Sequence, residues 1–165
     1  MKKVDLHIHT VQSTSDVPFC FSQEKLSEYV SSAKLDAIAI TNHNLFDLQQ
    51  FEEITAQTSI DVYPGIEVDV AGSQILVIAD KSDLSDFDMK CAQIQSACAV
   101  GGSVTLEKFI SVFEDLSKYL LIPHYEKRPE IRPETLQRLM PHVTAGEVSS
   151  AKKFMYCWKD NDPAP

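Results

Sequence analysis

Short strand-like segments alternate with amphipathic helical segments along most of this 165-residue chain. Helical patterns follow Ser22 and Asn44 and recur at residues 89–99, 106–116 and 133–140. Strand-like runs are predicted at residues 4–9, 37–41, 60–63, 66–70, 74–79, 119–123 and 145–148. Strands that alternate with helices in this way predict an α/β fold with a largely parallel sheet or barrel.

Three local signals refine this assignment. Ser22 and Asn44 are suitable N-caps for the first two helices, because their side-chain oxygens can accept free backbone N–H groups. Pro133 suits the first turn of the last helix. The dipeptide at residues 64–65, Pro-Gly, is expected to break the surrounding apolar run into two separate strands.

The composition is that of one globular domain. Hydrophobic residues make up 44% of the chain and charged residues 24%, which is typical of folded proteins. We expect a domain over residues 1–159 and a flexible tail over residues 160–165. The net charge of −9 disfavours binding to nucleic acid or to anionic membranes unless a local basic patch exists.

Cysteine usage and hydropathy predict a cytoplasmic location. Cys20, Cys91, Cys98 and Cys157 are irregularly spaced and form no C-x-x-C pair, which argues against a disulfide framework and a zinc ribbon. No apolar run approaches the roughly 20 residues that span a bilayer. The chain also begins without the apolar core of a signal peptide.

The first strand carries a candidate metal site. Along residues 4–9 the alternation places Asp5, His7 and His9 on one face and the apolar residues on the other. Two imidazoles on one face of a strand can converge on a single ion. A structural role for both histidines is the alternative interpretation.

Three further candidate ligands end apolar runs, namely His43, Glu67 and His124. The carboxyl ends of barrel strands form the active-site face, so these side chains are expected to meet His7 and His9. The two oxygens of Glu67 could bridge two ions. Individually, each histidine could instead be a hydrogen-bonded strand-end residue, and Glu67 a surface carboxylate.

Charged loop residues are weaker candidates. Asp16 follows the first strand and could be a ligand, a helix cap or a solvated acid. Lys127 and Arg128 follow His124 and could clamp a phosphate beside the metals, or belong to a solvated loop. His142 is expected at the surface rather than in the site.

These segments together resemble the polymerase and histidinol phosphatase (PHP) family. The matching segments are residues 5–10 (DLHIHT), 40–44 (ITNHN), 64–67 (PGIE) and 122–124 (IPH). The resemblance implies a distorted (β/α)7 barrel, up to three divalent ions such as zinc, manganese or iron, and phosphoester hydrolysis by metal-activated water.

The resemblance also implies roles for individual residues. His7, His9 and Glu67 would hold one metal, and Glu67 would bridge to a second metal that also meets His124. Asp16 and His43 would serve the third. The catalytic set would be His7, His9, Glu67 and His124.

Three departures from the family pattern affect this prediction. The family commonly has Asp at position 42 and often at position 44, where this chain has Asn42 and Asn44. Asn42 cannot supply a negative charge to orient or support His43. The family usually offers a histidine near Gln74, and glutamine is a poor metal ligand. A late Asp-x-His motif is absent. We therefore expect an incomplete barrel with fewer metals, which is either an N-terminal fragment or a naturally short domain.

Three functions remain open at this stage. The first is a metal-dependent phosphoesterase, weak or inactive as this chain, and the second is a non-catalytic metal-binding or regulatory module. An amidohydrolase ranks lower, because residues 40–44 and 64–67 match PHP better. The expected substrate is a phosphoester, with nucleic acid possible and no membrane partner. Open strand edges would favour self-association or a further C-terminal domain.

Overall fold

A computed structural model describes residues 2–13, 16, 18–125, 131–143 and 145–147. Strands and helices alternate through most of these residues, as the sequence predicts. In chain order the elements are β1 (Val4–Ile8), α1 (Gln23–Ala33), β2 (Ala37–Ile40), α2 (Leu48–Gln57), β3 (Asp61–Val70), β4 (Ser73–Ile78), α3 (Leu84–Gly101), α4 (Leu106–Phe113), β5 (Leu120–Pro123) and α5 (Pro133–Leu139).

The strands form a mixed sheet in the order β1-β2-β3-β4-β5. β1, β2 and β3 are parallel, whereas β4 is antiparallel to both β3 and β5. The antiparallel pair follows from the tight turn between β3 and β4, where Ala71 and Gly72 both have positive φ, as two-residue hairpin turns require. The α/β class is therefore confirmed, although the sheet is less parallel than predicted.

The sheet is strongly curled. β1 and β5 are its opposite edges, and a flat sheet would hold them roughly 19 Å apart at about 4.8 Å per strand spacing. The rings of His7 on β1 and His124 beyond β5 have centroids only 5.8 Å apart. The described strands thus form an open half-barrel, whose concave face brings the two edges together.

The two faces of the sheet bury different apolar clusters. The larger cluster packs the helices against the convex face, with Phe87, Phe109 and Phe113 fully buried. The smaller cluster fills the base of the concave face and consists of Ala39, Leu76, Ile78 and Ile122, with Leu6 packed against it. Polar side chains of the concave face lie in the space that this apolar base leaves open.

β3 continues through Pro64 and Gly65, so the predicted break is wrong. Residues 61–64 pair with β2 and residues 65–70 pair with β4, so the dipeptide marks the exchange of partners. Gly65 is required by close packing, because an added Cβ would lie 2.6 Å from Thr41 Cγ2 and 3.0 Å from Ile40 O.

β1 departs from strict alternation. Its register against β2 shifts between Asp5 and Ile8, and such a bulge redirects side chains. Asp5 accepts a hydrogen bond from the Tyr29 hydroxyl of α1 at 2.6 Å. Leu6 packs in the concave cluster, whereas Ile8 packs in the convex one. The predicted single faces for residues 4–9 are therefore wrong, although His7 and His9 still lie close together.

The helix caps agree with the sequence in one case of two. Ser22 caps α1 and accepts a hydrogen bond from the Lys25 N–H, as predicted. α2 is capped by Asp47 instead of Asn44, because Asn44 adopts a left-handed conformation with φ of 52° and its side chain bonds to Asp69.

Two further predictions concern the last strand and the tail of the chain. Of the predicted strand 145–148, Glu147 makes an isolated bridge with His124, and the tail at 160–165 lies outside the described residues.

Within the described ranges, we find no helix with the length and apolar character needed to cross a bilayer.

Candidate metal centre

Four imidazoles surround one buried carboxylate above the concave apolar cluster. Glu67 is 1% exposed. Its Oε2 lies 2.9 Å from His43 Nδ1, 3.0 Å from His9 Nε2 and 3.2 Å from His7 Nε2. Its Oε1 lies 3.0 Å from His124 Nε2. The structure thus brings together five of the residues that the sequence singled out.

Strand pairing places His43 beside Glu67. β2 ends at Ile40, but the chain after it stays paired with β3 through a parallel bridge between His43 and Glu67. Glu67 N donates to Asn42 O at 3.0 Å, and Asn44 N donates to Glu67 O at 2.8 Å. These backbone bonds fix the two side chains relative to each other.

Asn42 fixes the end of β1 instead of supporting His43. Its Oδ1 accepts the backbone N–H of Thr10 at 2.6 Å and that of Val11 at 2.9 Å. Both bonds hold the segment that immediately follows His9. The contact with Thr10 and Val11 needs only an acceptor oxygen, which the Asn42 amide provides. The absence of a negative charge at position 42 therefore does not weaken this contact.

Asp16 extends the cluster towards the loop after β1. Its Oδ1 lies 3.0 Å from His9 Nδ1 and 3.7 Å from His43 Nε2. Its Oδ2 accepts the Ser13 N–H at 2.7 Å. Burial alone would raise the pKa of Asp16, but the hydrogen bonds from Ser13 and His9 outweigh it and lower the pKa.

The charge balance of the cluster couples its members. Burial would raise the pKa of the Glu67 carboxyl, yet the contacts with the imidazoles of His124 and His43 hold that pKa far below its usual range. Burial likewise opposes a charged His7, but the contacts with Glu147 and Glu67 raise its pKa to about 9. The carboxylates therefore require positive charge nearby, from protons or from a bound cation.

The arrangement fits a metal ion better than a hydrogen-bonded network. Glu67 Oε2 is buried and has no well-oriented hydrogen bond, despite three imidazole nitrogens nearby. His7 Nε2 and His9 Nε2 face each other at 3.0 Å. Nitrogens that share a tetrahedral zinc ion lie about 3.3 Å apart, given Zn–N distances of about 2.0–2.1 Å.

Three groups among the described residues have ligand atoms close enough to share an ion. All ligand atoms within a group lie within 4.8 Å of one another. The groups are His7–His9–Glu67, His9–Asp16–His43 and His7–His124–Glu147. The first group is the predicted set of His7, His9 and Glu67. The second contains the predicted pair of Asp16 and His43.

Glu147 is the site residue that the sequence reasoning missed. Its Oε2 lies 2.7 Å from His7 Nδ1 and 3.5 Å from His124 Nε2. It is the third residue of the short strand-like run predicted at residues 145–148, and Val148 follows it. Its place in a predicted strand is only a weak local signal, and its contacts with His7 and His124 are evident only from the three-dimensional structure.

The structure also places Gln74 and His142, two other residues that the sequence analysis considered. Gln74 is buried in the wall of the site, with its Nε2 3.2 Å from His43 Nδ1. His142 lies in a short 3-10 turn, Met140–His142, and belongs to none of the three groups in the described part of the chain. The proposed phosphate clamp, Lys127 and Arg128, lies outside the described residues.

Comparisons with known proteins agree with this geometry. A family model for the PHP domain matches residues 5–151. Among solved structures, the chain resembles a candidate metal-dependent phosphoesterase from Bifidobacterium adolescentis ATCC 15703, with a TM-score of 0.57 and 8% identity. The match covers 97% of this chain and 84% of that one, and at such low identity it supports the fold alone. No curated protein matches the chain significantly.

Proposed function

The chain belongs to the PHP domain family, and on that basis we propose that it is a metal-dependent phosphoesterase. The observation that carries the proposal is the convergence of four imidazoles on the buried carboxylate of Glu67. Histidine and carboxylate ligands of this kind suit zinc, manganese and iron. Divalent ions at such a site lower the pKa of coordinated water and neutralise charge on phosphoryl oxygens.

The residues divide into overlapping ligand sets. His7, His9 and the Oε2 atom of Glu67 are proposed to hold one ion. The Oε1 atom of Glu67 and His124 would contribute to a second. Asp16 and His43 would contribute to a third, as the family resemblance implies. A carboxylate with an oxygen on each side suits a bridging position.

We propose that the substrate binds in a cavity beside His43. A cavity of about 450 Å³ borders His43 and is lined in part by Gln12, Asn44 and Gln95. This cavity can accept the organic part of a phosphoester through hydrogen bonds. Lys127 is proposed to contact the phosphoryl group from the segment after His124, and Arg128 with it.

The experiment compares Glu67→Gln with a matched control, Glu52→Gln at an exposed position of α2. We expect the wild-type chain, supplied with Mn²⁺ or Zn²⁺, to release p-nitrophenol slowly from p-nitrophenyl phosphate or its diester. Glu52→Gln should behave alike, and Glu67→Gln should lose the metal-dependent release. A wild-type chain that binds the ion but cleaves neither ester would contradict the proposal.

One observation favours a non-catalytic metal-binding module as the second candidate. Gln74 occupies the wall of the site beside His43, where the family usually supplies a histidine, so one ion has fewer ligands. Metal binding without turnover on any phosphoester would support this alternative. An amidohydrolase is distinguished by including amide substrates in the same assay, since only that enzyme would cleave them.

A further inference from the structure

Glu147 reaches the metal site from the edge of the sheet opposite the one that carries His7. Its backbone continues the pairing of β5, since Glu147 N donates to Pro123 O at 3.0 Å and Tyr125 N donates to Glu147 O at 2.8 Å. Its side chain then crosses to β1, where Oε2 lies 2.7 Å from His7 Nδ1. Glu147 thus links the two edges of the half-barrel.

The two ring nitrogens of His7 face different partners. Nε2 points towards His9 Nε2 and Glu67 Oε2, at 3.0 and 3.2 Å. Nδ1 points towards Glu147. An ionised carboxylate can only accept a hydrogen bond, so Nδ1 carries the hydrogen, and a neutral ring then keeps its lone pair on Nε2.

We propose that Glu147 is a positioning residue of the metal site, which holds His7 in the tautomer and orientation that present Nε2 to the ion. Carboxylates that accept the second N–H of a metal-bound histidine have this effect in other metal sites. The inference rests on the proposed function only in that both require a metal at His7, His9 and Glu67.

The distance to His7 favours positioning of that ring over an ion shared by Glu147 and His7, whereas the 3.5 Å between Glu147 Oε2 and His124 Nε2 would also suit a shared ion. An ion held about 2.0–2.2 Å from a nitrogen and an oxygen keeps those atoms about 3.3 Å apart. The contact between Glu147 Oε2 and His7 Nδ1 is 2.7 Å, which suits a charge-assisted hydrogen bond.

The test compares Glu147→Ala, Glu147→Gln and a control, Glu52→Ala, in the full chain. Zinc affinity is measured by competition with a chromophoric chelator, and zinc content at saturation by elemental analysis. We expect Glu147→Ala to weaken affinity about 10- to 100-fold, as losses of such partners do, with unchanged content at saturation. Glu147→Gln keeps an acceptor oxygen and should recover most of the affinity.

A spectroscopic readout separates positioning from general destabilisation. Long-range ¹H–¹⁵N spectra of the zinc-loaded protein should show the hydrogen of His7 on Nδ1 in the wild type and in Glu147→Gln. Unchanged affinity in Glu147→Ala would overturn the inference, and so would a loss of zinc at saturation in both variants, which indicates a direct ligand. A wild type that binds zinc but lacks turnover would overturn only the proposed phosphoesterase.

Discussion

At the scale of single residues, the hydrogen-bond partners of the polar side chains around Glu67 explain the site better than the residue types alone. The sequence identifies Glu67 and the histidines because each lies in or beyond an apolar run. It does not show what Asn42 does, because the partners of its side chain, the N–H groups of Thr10 and Val11, are about thirty positions away in the chain. The amide supplies the acceptor oxygen that an aspartate would also supply.

This role of Asn42 predicts the outcome of two substitutions. Asn42→Ala leaves two N–H groups without their acceptor at a buried position and should lower the free energy of unfolding by about 1–3 kcal/mol. Asn42→Asp retains an acceptor oxygen and should stay closer to the wild type. Urea denaturation of the metal-free proteins measures the free energy of unfolding of both variants. Equal values for the alanine variant and the wild type would show that the hydrogen bonds of Asn42 do not stabilise the fold.

At the scale of elements, the sequence predicts the order of strands and helices well and their pairing less well. The helix periodicity and the Ser22 cap are local signals, and α1 follows them. The continuity of β3 through Pro64, the bulge in β1 and the position of Glu147 depend on contacts with strands distant in the chain. A local sequence pattern does not identify the distant strand with which a segment pairs, so it could not predict these features.

The close packing at Gly65 gives a prediction for β3. A Cβ there would collide with Thr41 and Ile40, so Gly65→Ala should destabilise the fold by about 1–3 kcal/mol. It should also weaken metal binding, because Glu67 lies two residues further along the same strand. Thermal unfolding and zinc titration test both effects.

Gly101 is the matched control for this substitution. It lies at the end of α3, and a Cβ there would meet no atom within 4 Å. Gly101→Ala should therefore leave stability unchanged or raise it by about 0.4–1 kcal/mol. Similar losses of stability at both positions would argue against close packing as the reason for Gly65.

At the scale of the whole molecule, the curl of the sheet creates the site. Side chains from β1, β3 and the segments after β2 and β5 meet because the sheet's edges approach each other on the concave face. The apolar cluster below them closes the base of this face. Strand-end positions predicted this convergence from the sequence, whereas the contact of Glu147 with His7 across the two edges required the three-dimensional structure.

We propose that His7, His9 and Glu67 together bind one divalent metal ion. Anomalous diffraction at the zinc edge, from crystals of the full chain grown with Zn²⁺, tests it most directly. We expect an anomalous peak about 2.0–2.2 Å from His7 Nε2, His9 Nε2 and a Glu67 oxygen. A map with zinc only at other positions, at saturating concentration, would show that these three residues do not bind the ion together.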